Sequence, residues 1–295
     1  MSTDLREPSA HGGEDAYRRQ RDHRDGEDEV GQRRPGPQGR DRGDGHDEAH
    51  RRRGGPHVEG GARDDRLDLE VTLGGLEVEA ERDLVVALTG AVLPGAPMHG
   101  TVRLRAGERI VCGSPATGLR TYLAVRGGIA TEPVVGSRST DLLSGLGPPV
   151  VQDGDRLPIG DDHAPRVDYG VDTAPSPALP SGPAHLPVVP GPRADWFAAN
   201  EWDRLTSTDW TASSRSNRIG LRLEGPGIER HDAGELASEG MVRGAVQVPP
   251  SGEPIVFLAD HPVTGGYPVV AVLAAGAVDL AAQLVPGSEI RFRRC

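Results

Sequence analysis

Two short polar segments of this chain carry side chains that could bind an anion or move a proton. Residues 213–218 read SSRSNR and residues 260–267 read DHPVTGGY, and both lie between apolar, β-rich stretches. Arginine pairs can bind carboxylates or phosphates bidentately, an aspartate can act as a base or orient an arginine, and glycine N–H groups can face an oxyanion. The candidate catalytic residues are Asp260, Arg218 and Tyr267; the candidate substrate- or anion-binding residues are Arg215, Asn217, Thr264, Gly265 and Gly266. The alternatives are an exposed arginine pair and a plain β-turn at the glycines.

A third polar cluster, GSRSTDL, occupies residues 136–142. Ser137, Arg138 and Ser139 are candidates for the opposite wall of the same site. Thr140 and Asp141 could instead cap a turn or a short helix.

The 213–218 segment carries the two arginines, and the 260–267 segment carries the aspartate. The two segments are predicted to meet at one rim of a β-barrel, because strands that share a core can place their end loops together. Asp260 would then balance one arginine, and the other would attract a carboxylate or phosphate. The apolar positions predicted to face this common core are Ile219, Leu221 and Leu223 on one side and Ile255, Phe257 and Val269 on the other.

Composition excludes several classes of function. The formal net charge of −11 argues against nucleic-acid binding, and the apolar run at residues 269–278 is shorter than the roughly 20 residues of a membrane span. All 33 basic residues are arginine, so the chain has no phosphate-loop lysine, no Schiff-base lysine and no lysine that could carry biotin. The two cysteines and the histidine spacings fit no disulfide scaffold and no metal site, and we expect a cytoplasmic protein.

Residues 1–66 differ in composition from the rest of the chain. They hold 14 arginines and 16 acidic residues against only five of the types Val, Leu, Met and Tyr. Such a segment cannot bury enough apolar surface to fold, so it is predicted to be disordered. It is either a genuine extension or a non-native segment translated out of frame.

From Leu67 onward the pattern predicts a mainly β fold with few short helices. A β-hairpin is expected to turn at Gly74-Gly75, and a second pair of strands is expected to turn at Ala106-Gly107. A further strand is expected at residues 156–159. Short helices are expected within residues 195–210 and 277–284. A Pro-rich linker at about 161–185 would join two lobes, residues 67–160 and 186–295.

Three motifs of this chain resemble one family. SSRSNRIGLRLEGP (213–226), GAVQVPPSGEPIVFLADHPVTGGYP (244–268) and GSRSTDL (136–142) are similar to segments of the biotin-dependent carboxyltransferase-like family. This family includes the C-type subunit of 5-oxoprolinase, the second subunit of allophanate hydrolase and the antagonist of a sporulation kinase inhibitor. The resemblance covers residues 69–292 and implies cyclophilin-like barrel lobes. The family's usual opening segment has no counterpart in residues 1–66.

The resemblance implies one component of an ATP-dependent 5-oxoprolinase, which opens 5-oxoproline to glutamate together with partners that resemble the A-type and B-type 5-oxoprolinase subunits. ATP would be the cofactor of the assembled complex. One alternative is the carboxyltransferase component of a biotin-dependent urea or amide carboxylase, with biotin on another chain. A second is a non-catalytic binding protein that antagonises a kinase inhibitor.

Overall fold

The computed structural model describes residues 68–161, 173–175, 178–180, 182–231, 234 and 236–295. These residues all belong to one compact unit, Gly60–Cys295. Within them, fifteen strands stand against two α-helices and one short 3-10 turn, which confirms the mainly β fold class. The predicted disordered segment, residues 1–66, and most of the predicted linker lie outside the described residues.

The N-terminal lobe, residues 68–160, is built on an antiparallel four-stranded sheet of order β1-β6-β3-β4, with β2 and β5 paired separately. Leu88, Leu123 and the buried Cys112 lie in the core on one side of the sheet. Since side chains alternate along a strand, Arg120 and Tyr122 of β6 project from the opposite face. The strands are β1 (Leu69–Thr72), β2 (Leu76–Glu79), β3 (Leu84–Val92), β4 (Thr101–Leu104), β5 (Arg109–Cys112) and β6 (Thr117–Val125).

The hairpin predicted at Gly74-Gly75 is wrong, although both of its strands exist. β1 pairs with β6 and β2 pairs with β5, so the chain changes sheets at this turn. Gly74 has a φ of +88°, and a Cβ there would lie 2.2 Å from the carbonyl oxygen of Gly113. The strand pair predicted around Ala106-Gly107 is wrong for the same reason, because β4 pairs with β3. Alternating apolar residues identify a strand but not its partner.

The C-terminal lobe, residues 184–295, contains a closed seven-stranded barrel of order β11-β12-β9-β8-β15-β7-β14. Both predicted helices are present but shorter than expected. The strand predicted at residues 156–159 is reduced to one bridge between Ile129 and Ile159. The elements are β7 (Ala184–Pro190), a 3-10 turn (Ala194–Trp196), α1 (Ala199–Ser207), β8 (Trp210–Ala212), β9 (Gly220–Glu224), β10 (Glu239–Gly240), β11 (Ala245–Gln247), β12 (Ile255–Phe257), β13 (Thr264–Gly265), β14 (Val269–Leu273), α2 (Ala277–Ala281) and β15 (Glu289–Arg294).

Large apolar side chains fill the interior of the barrel. Trp210 and Phe292 are fully buried there, and the Trp210 indole donates a 3.0 Å hydrogen bond to the carbonyl of Leu205. Each such side chain contributes roughly 1.5–3 kcal/mol by its burial. Leu221 and Leu223 face this core as predicted.

The predicted inward orientation of Ile255, Phe257 and Val269 is wrong. These side chains pack in a second cluster with Met241 and Ala245, while Val256 enters the barrel core. Because side chains alternate along β12, Ile255 and Phe257 lie on the outer face of the barrel wall.

Candidate active site

The pairing of β9 with β12 brings Arg218 to Asp260. In this antiparallel pair Gly220 lies opposite Phe257, so the loop that enters β9 and the loop that leaves β12 share one end of the barrel. Two backbone hydrogen bonds continue the pairing into the loops: Leu258 N–H donates to Ile219 O, and Asp260 N–H donates to Arg218 O. The structure therefore brings Arg218 and Asp260 together.

Arg218 contacts both lobes. Its Nε lies 3.0 Å from Asp260 Oδ2 and 3.8 Å from Glu70 Oε1, and its Nη1 donates a 3.2 Å hydrogen bond to the carbonyl of Thr140. The side chain of Arg218 is 28 % exposed and that of Asp260 is 18 % exposed. The guanidinium thus links the barrel to the sheet and to the 137–147 segment of the N-terminal lobe.

A second cation lies behind this contact. Arg120 Nε is 3.4 Å from Glu70 Oε1, and the Arg120 side chain is only 6 % exposed. Its Nη1 donates a hydrogen bond to the carbonyl of Ala282, in the turn after α2. We call Glu70, Arg120, Arg218 and Asp260 the interlobe ion cluster. With all four groups ionised, its two positive charges match its two negative charges.

The environment of Asp260 makes its carboxylate a stronger base than usual. Burial raises the pKa of Asp260; Arg218 lowers it in part, and the negative charges of Glu70 and Asp141 raise it. Although Oδ2 is at ion-pair distance from Arg218, this buried oxygen accepts no hydrogen bond from the described residues. A carboxylate with a raised pKa suits a base that works near neutral pH.

A cavity of about 350 Å³ opens beside Asp260. Carboxylates, hydroxyls and an imidazole line it, together with three apolar side chains. Its lining residues are Val134, Val135, Ser137, Ser139, Thr140, Asp141, Leu146, Gly147, Asp260 and His261. Ser137 and Ser139 thus line the same cavity as Asp260. Among the described residues, two acids and no arginine line this cavity, so it favours a neutral or hydrogen-bond-donating ligand over an anion.

Thr140 and Asp141 also have the structural roles left open by the sequence. Asp141 accepts a 2.7 Å hydrogen bond from the Ser144 hydroxyl and a 2.8 Å bond from Leu143 N–H, and these bonds lower the pKa of Asp141. Thr140 donates its hydroxyl proton to Pro148 O at 2.7 Å. These contacts shape the segment that forms the wall of the cavity.

Arg138, the third residue predicted for this wall, is directed elsewhere in the same lobe. Its Nε donates a 2.7 Å hydrogen bond to the carbonyl of Thr131. Arg138 is not among the residues that line the cavity. Its predicted role in binding an anion stays a prediction.

Arg215 does not join Arg218. Its Nη2 lies 3.0 Å from Glu253 Oε2 and 4.0 Å from Glu224 Oε1, on a side chain that is 57 % exposed. Glu253 precedes β12 and Asp260 follows it, so the two arginines reach toward opposite ends of that strand. The prediction that one arginine lacks an acidic partner is therefore wrong, since each has a carboxylate beside it.

Asn217 shapes the loop that carries Arg218. Its side-chain oxygen accepts hydrogen bonds from Ile219 N–H at 2.9 Å and Gly220 N–H at 3.2 Å. This is the local bonding by which Asn stabilises turns. Asn217 therefore helps to position Arg218 at the start of β9.

The Thr264–Tyr267 segment has its own set of contacts. Thr264 and Gly265 form β13, which pairs with β10, and a Cβ on Gly265 would lie 2.8 Å from the Gln247 side-chain nitrogen. The same nitrogen donates to the carbonyl of Tyr267 at 2.9 Å. These contacts lie beside the outer apolar cluster rather than in the interlobe ion cluster. The catalytic or binding roles of Thr264, Gly265, Gly266 and Tyr267 stay predictions.

Glu70, Arg120 and Tyr122 belong to the site but are not predicted from the sequence. The available signal is an arginine and a tyrosine at alternate positions of an otherwise apolar strand, GLRTYLAV. Glu70 lies directly opposite Tyr122 in the β1–β6 register. Burial and the nearby negative charge of Glu70 raise the pKa of Tyr122.

The described residues contain neither a cluster of metal-binding side chains nor a membrane-spanning helix. Among them, no group of three or more His, Cys, Asp or Glu side chains is arranged to hold a metal ion. No helix within the described residues is long and apolar enough to cross a membrane.

Comparison with known proteins places this architecture in a family. Residues 61–294 match the model of the carboxyltransferase domain, subdomains A and B. The chain belongs to this carboxyltransferase family. It is 39 % identical over 237 residues to the 5-oxoprolinase C subunit of Escherichia coli, covering 77 % of this chain and 74 % of that protein. Its identity to the 5-oxoprolinase C subunit of Haemophilus influenzae is 32 % over 233 residues, 76 % of this chain and 74 % of that protein.

Solved structures of two longer proteins show the same fold. The crystal structure of Kluyveromyces lactis urea carboxylase superposes with a TM-score of 0.68 at 26 % identity, over 76 % of this chain and 22 % of that one. A crystal structure of TTHA0988 superposes with a TM-score of 0.66 at 35 % identity, over 77 % of this chain and 45 % of that one. The carboxyltransferase chain described here therefore spans less than half of either solved chain.

Proposed function

We propose that this carboxyltransferase-family chain is the C-type component of a 5-oxoprolinase, an ATP-dependent enzyme that opens 5-oxoproline to glutamate. The observation that carries the proposal is the 39 % identity to a 5-oxoprolinase C subunit, which extends over about three quarters of both proteins. By contrast, the similarity to the urea amidolyase of Lachancea kluyveri is 27 % and covers only 14 % of that protein.

The cavity beside Asp260 supports a lactam substrate. The lactam ring of 5-oxoproline is a neutral cyclic amide with one N–H donor and one carbonyl acceptor. Its carboxylate is an anion, and since no arginine among the described residues lines this cavity, our proposal assigns the binding of that carboxylate to cationic groups outside the cavity lining. Asp260 can accept a proton from that N–H or from an attacking water, and its raised pKa favours this transfer. The hydroxyls of Ser137 and Ser139 line the same cavity and can donate to the lactam carbonyl.

Arg218 and Asn217 help to position Asp260 at this site. Asn217 shapes the loop, and Arg218 holds the Asp260 carboxylate at 3.0 Å. The remaining predicted residues keep their binding or catalytic roles as part of this proposal; they are Arg138, Arg215, Thr264, Gly265, Gly266 and Tyr267.

ATP does not fit the described cavity. A triphosphate needs cationic side chains or a cradle of backbone N–H groups, whereas the charged lining groups here are the carboxylates of Asp141 and Asp260. Our proposal therefore assigns ATP to the assembled complex and derives no step from ATP in this cavity. The partners would be proteins like the A-type and B-type 5-oxoprolinase subunits, and we propose that the complex is cytoplasmic.

A second candidate function is the carboxyltransferase component of a urea or amide carboxylase. The observation that favours it is the shared fold with Kluyveromyces lactis urea carboxylase. Biotin would have to be carried by another chain, because this sequence contains no lysine.

The proposal is tested with the complex reconstituted from the chain and its partner subunits. We expect ATP-dependent formation of glutamate from 5-oxoproline, and a loss of about 100-fold or more in kcat for Asp260→Asn, the scale of a lost general base. Asp279→Asn is the matched control, because Asp279 lies on the surface of the same lobe and is 73 % exposed.

Three results would contradict parts of this proposal. Full turnover by Asp260→Asn would remove Asp260 from the chemistry. Carboxylation of urea with biotin-bearing partners, without turnover of 5-oxoproline, would favour the second function. Binding of a kinase inhibitor by a complex that turns over neither substrate would instead support a regulatory protein.

A further inference from the structure

Glu70 holds a position between the two cations of the interlobe ion cluster. It lies on β1 directly opposite Tyr122 of β6 in the antiparallel β1–β6 pair. Its Oε1 is 3.4 Å from Arg120 Nε and 3.8 Å from Arg218 Nε. The Glu70 side chain is 23 % exposed, so water screens these contacts only in part. One carboxylate of the N-terminal lobe therefore attracts an arginine from each lobe.

Because of this arrangement, the Arg218 guanidinium interacts electrostatically with two carboxylates. The guanidinium faces Asp260 at 3.0 Å on one side and Glu70 at 3.8 Å on the other. Without Glu70, Asp260 would be the one carboxylate within ion-pair distance of Arg218 among the described residues, and Arg120 would lose its neighbouring acid.

We propose that Glu70 is a positioning residue for the Asp260 site: it holds Arg218 from the N-terminal lobe and keeps that guanidinium from fully neutralising the Asp260 carboxylate. This inference rests on the role of Asp260 in the proposed function. Glu70 itself does not line the cavity and takes no part in the bond changes.

The charged and titratable groups around Asp260 come from every element packed against it. Burial makes the largest contribution to its raised pKa, Arg218 lowers it, and Glu70 and Asp141 raise it. Arg120 lowers it from greater depth in the cluster. Of the cluster's acids, Glu70 can be changed without touching the cavity lining. The groups are Glu70 of β1, Arg120 and Tyr122 of β6, Asp141 of the 137–147 segment, Arg218 of the loop before β9, and the adjacent His261.

The test is Glu70→Gln in the full reconstituted complex. Gln keeps the size of the side chain but removes its negative charge. Because a negative neighbour raises the pKa of a carboxyl, its loss lowers the pKa of Asp260. We expect the acidic limb of the kcat/KM–pH profile to move to lower pH, by on the order of one pH unit, the scale of one nearby charge. Glu70→Asp keeps the charge and should restore most of the wild-type profile.

Glu79→Gln is the matched control. Glu79 lies in the same lobe and pairs with Arg109 at 2.8 Å on the surface, where its side chain is 50 % exposed. The control should leave the profile unchanged. A loss of activity in Glu70→Gln without movement of the acidic limb would overturn the proposal, because a purely structural role predicts that result.

A measurement without turnover separates this inference from the proposed function. Carboxyl carbon NMR of the chain, with the Asp260 resonance assigned through Asp260→Asn, reports the titration of Asp260 directly. A lower Asp260 pKa in Glu70→Gln supports the positioning role even if the complex does not act on 5-oxoproline. An unchanged Asp260 titration refutes it even if 5-oxoproline is the substrate.

Discussion

Replacing Arg218 with alanine should lower the free energy of unfolding as well as disturb the site. Arg215→Ala, in the same loop, is the matched comparison. Arg218→Ala removes the ion contact with Asp260 and the hydrogen bond to the Thr140 carbonyl. It also leaves two half-buried carboxylates, Asp260 and Glu70, with one cation fewer between them.

The magnitude follows from the burial of the groups. Removing one partner of a fully buried ion pair costs about 3–5 kcal/mol, and an ordinary hydrogen bond contributes about 1 kcal/mol. Since Arg218 is 28 % exposed and Asp260 18 % exposed, we expect a combined loss of about 2–3 kcal/mol in the free energy of unfolding. For a folded unit of this size, that loss corresponds to a decrease of roughly 4–12 °C in Tm. Arg215→Ala removes a contact that is 57 % exposed and should cost no more than about 1 kcal/mol.

The loss of unfolding free energy in Arg218→Ala should also depend on pH. An acid whose folded pKa lies above its unfolded value binds protons more tightly when folded, so it contributes least to stability at pH values above the folded pKa. Arg218 lowers the pKa of Asp260, and its removal raises that pKa further. The difference between Arg218→Ala and the wild type should therefore be largest near neutral pH and should shrink as pH falls through the folded pKa of Asp260.

Urea unfolding followed by circular dichroism, at several pH values from neutral to mildly acidic, measures both effects. Equal losses for Arg218→Ala and Arg215→Ala would refute the distinction drawn between the two arginines. A loss for Arg218→Ala that stays constant with pH would show that Asp260 is not the group it stabilises.

Two further predictions concern the backbone at Arg120, which Gln283 contacts from the C-terminal lobe and Gly90 approaches from β3. Gln283→Ala should lower the free energy of unfolding, measured in urea, by about 2–3 kcal/mol. The reason is that the Gln283 amide makes three hydrogen bonds of 2.9–3.0 Å to the backbone of Leu119 and Arg120. A loss below about 0.5 kcal/mol would contradict this. Gly90→Ala should lower Tm more than Gly287→Ala. Both glycines have φ near +90°, but of the two only Gly90 would place a Cβ 2.3 Å from the carbonyl oxygen of Arg120. The left-handed backbone alone costs about 1–2 kcal/mol, so equal Tm values for the two variants would show that the close approach carries no extra energy.

Local patterns in the sequence are sufficient for the strands but not for their pairing. The alternation in LDLEVTL and LEVEA correctly predicts β1 and β2, yet each strand hydrogen-bonds to a distant partner. Which edges meet depends on the free energy of the whole sheet, and no short segment contains that information. For β12, the sequence IVF has no alternation, so the pattern could not show that Val256 faces inward and its neighbours outward.

The same limit explains which part of the site was predictable. Asp260 and Arg218 stand out because each lies in a dense polar segment next to an apolar strand. Glu70 and Arg120 lie inside strands, where a charged residue ordinarily indicates a solvated face. Here the second lobe covers that face, and the Gln283 side chain secures the contact through the β6 backbone. The function of a charged residue in a strand therefore depends on what packs over it.

The two arginines of the 213–218 segment show how strand geometry assigns a role to a side chain. From the sequence they are equivalent: both lie in one loop, three residues apart, and both could bind an anion. β12 separates them, because it presents Glu253 at its start and Asp260 at its end. Three residues of β-strand span about 10 Å, so a guanidinium directed to one end does not serve the other. Asn217 fixes the turn between the two arginines through its bonds to the backbone at the start of β9. Arg218 is thereby held beside Asp260, and Arg215 is held beside Glu253.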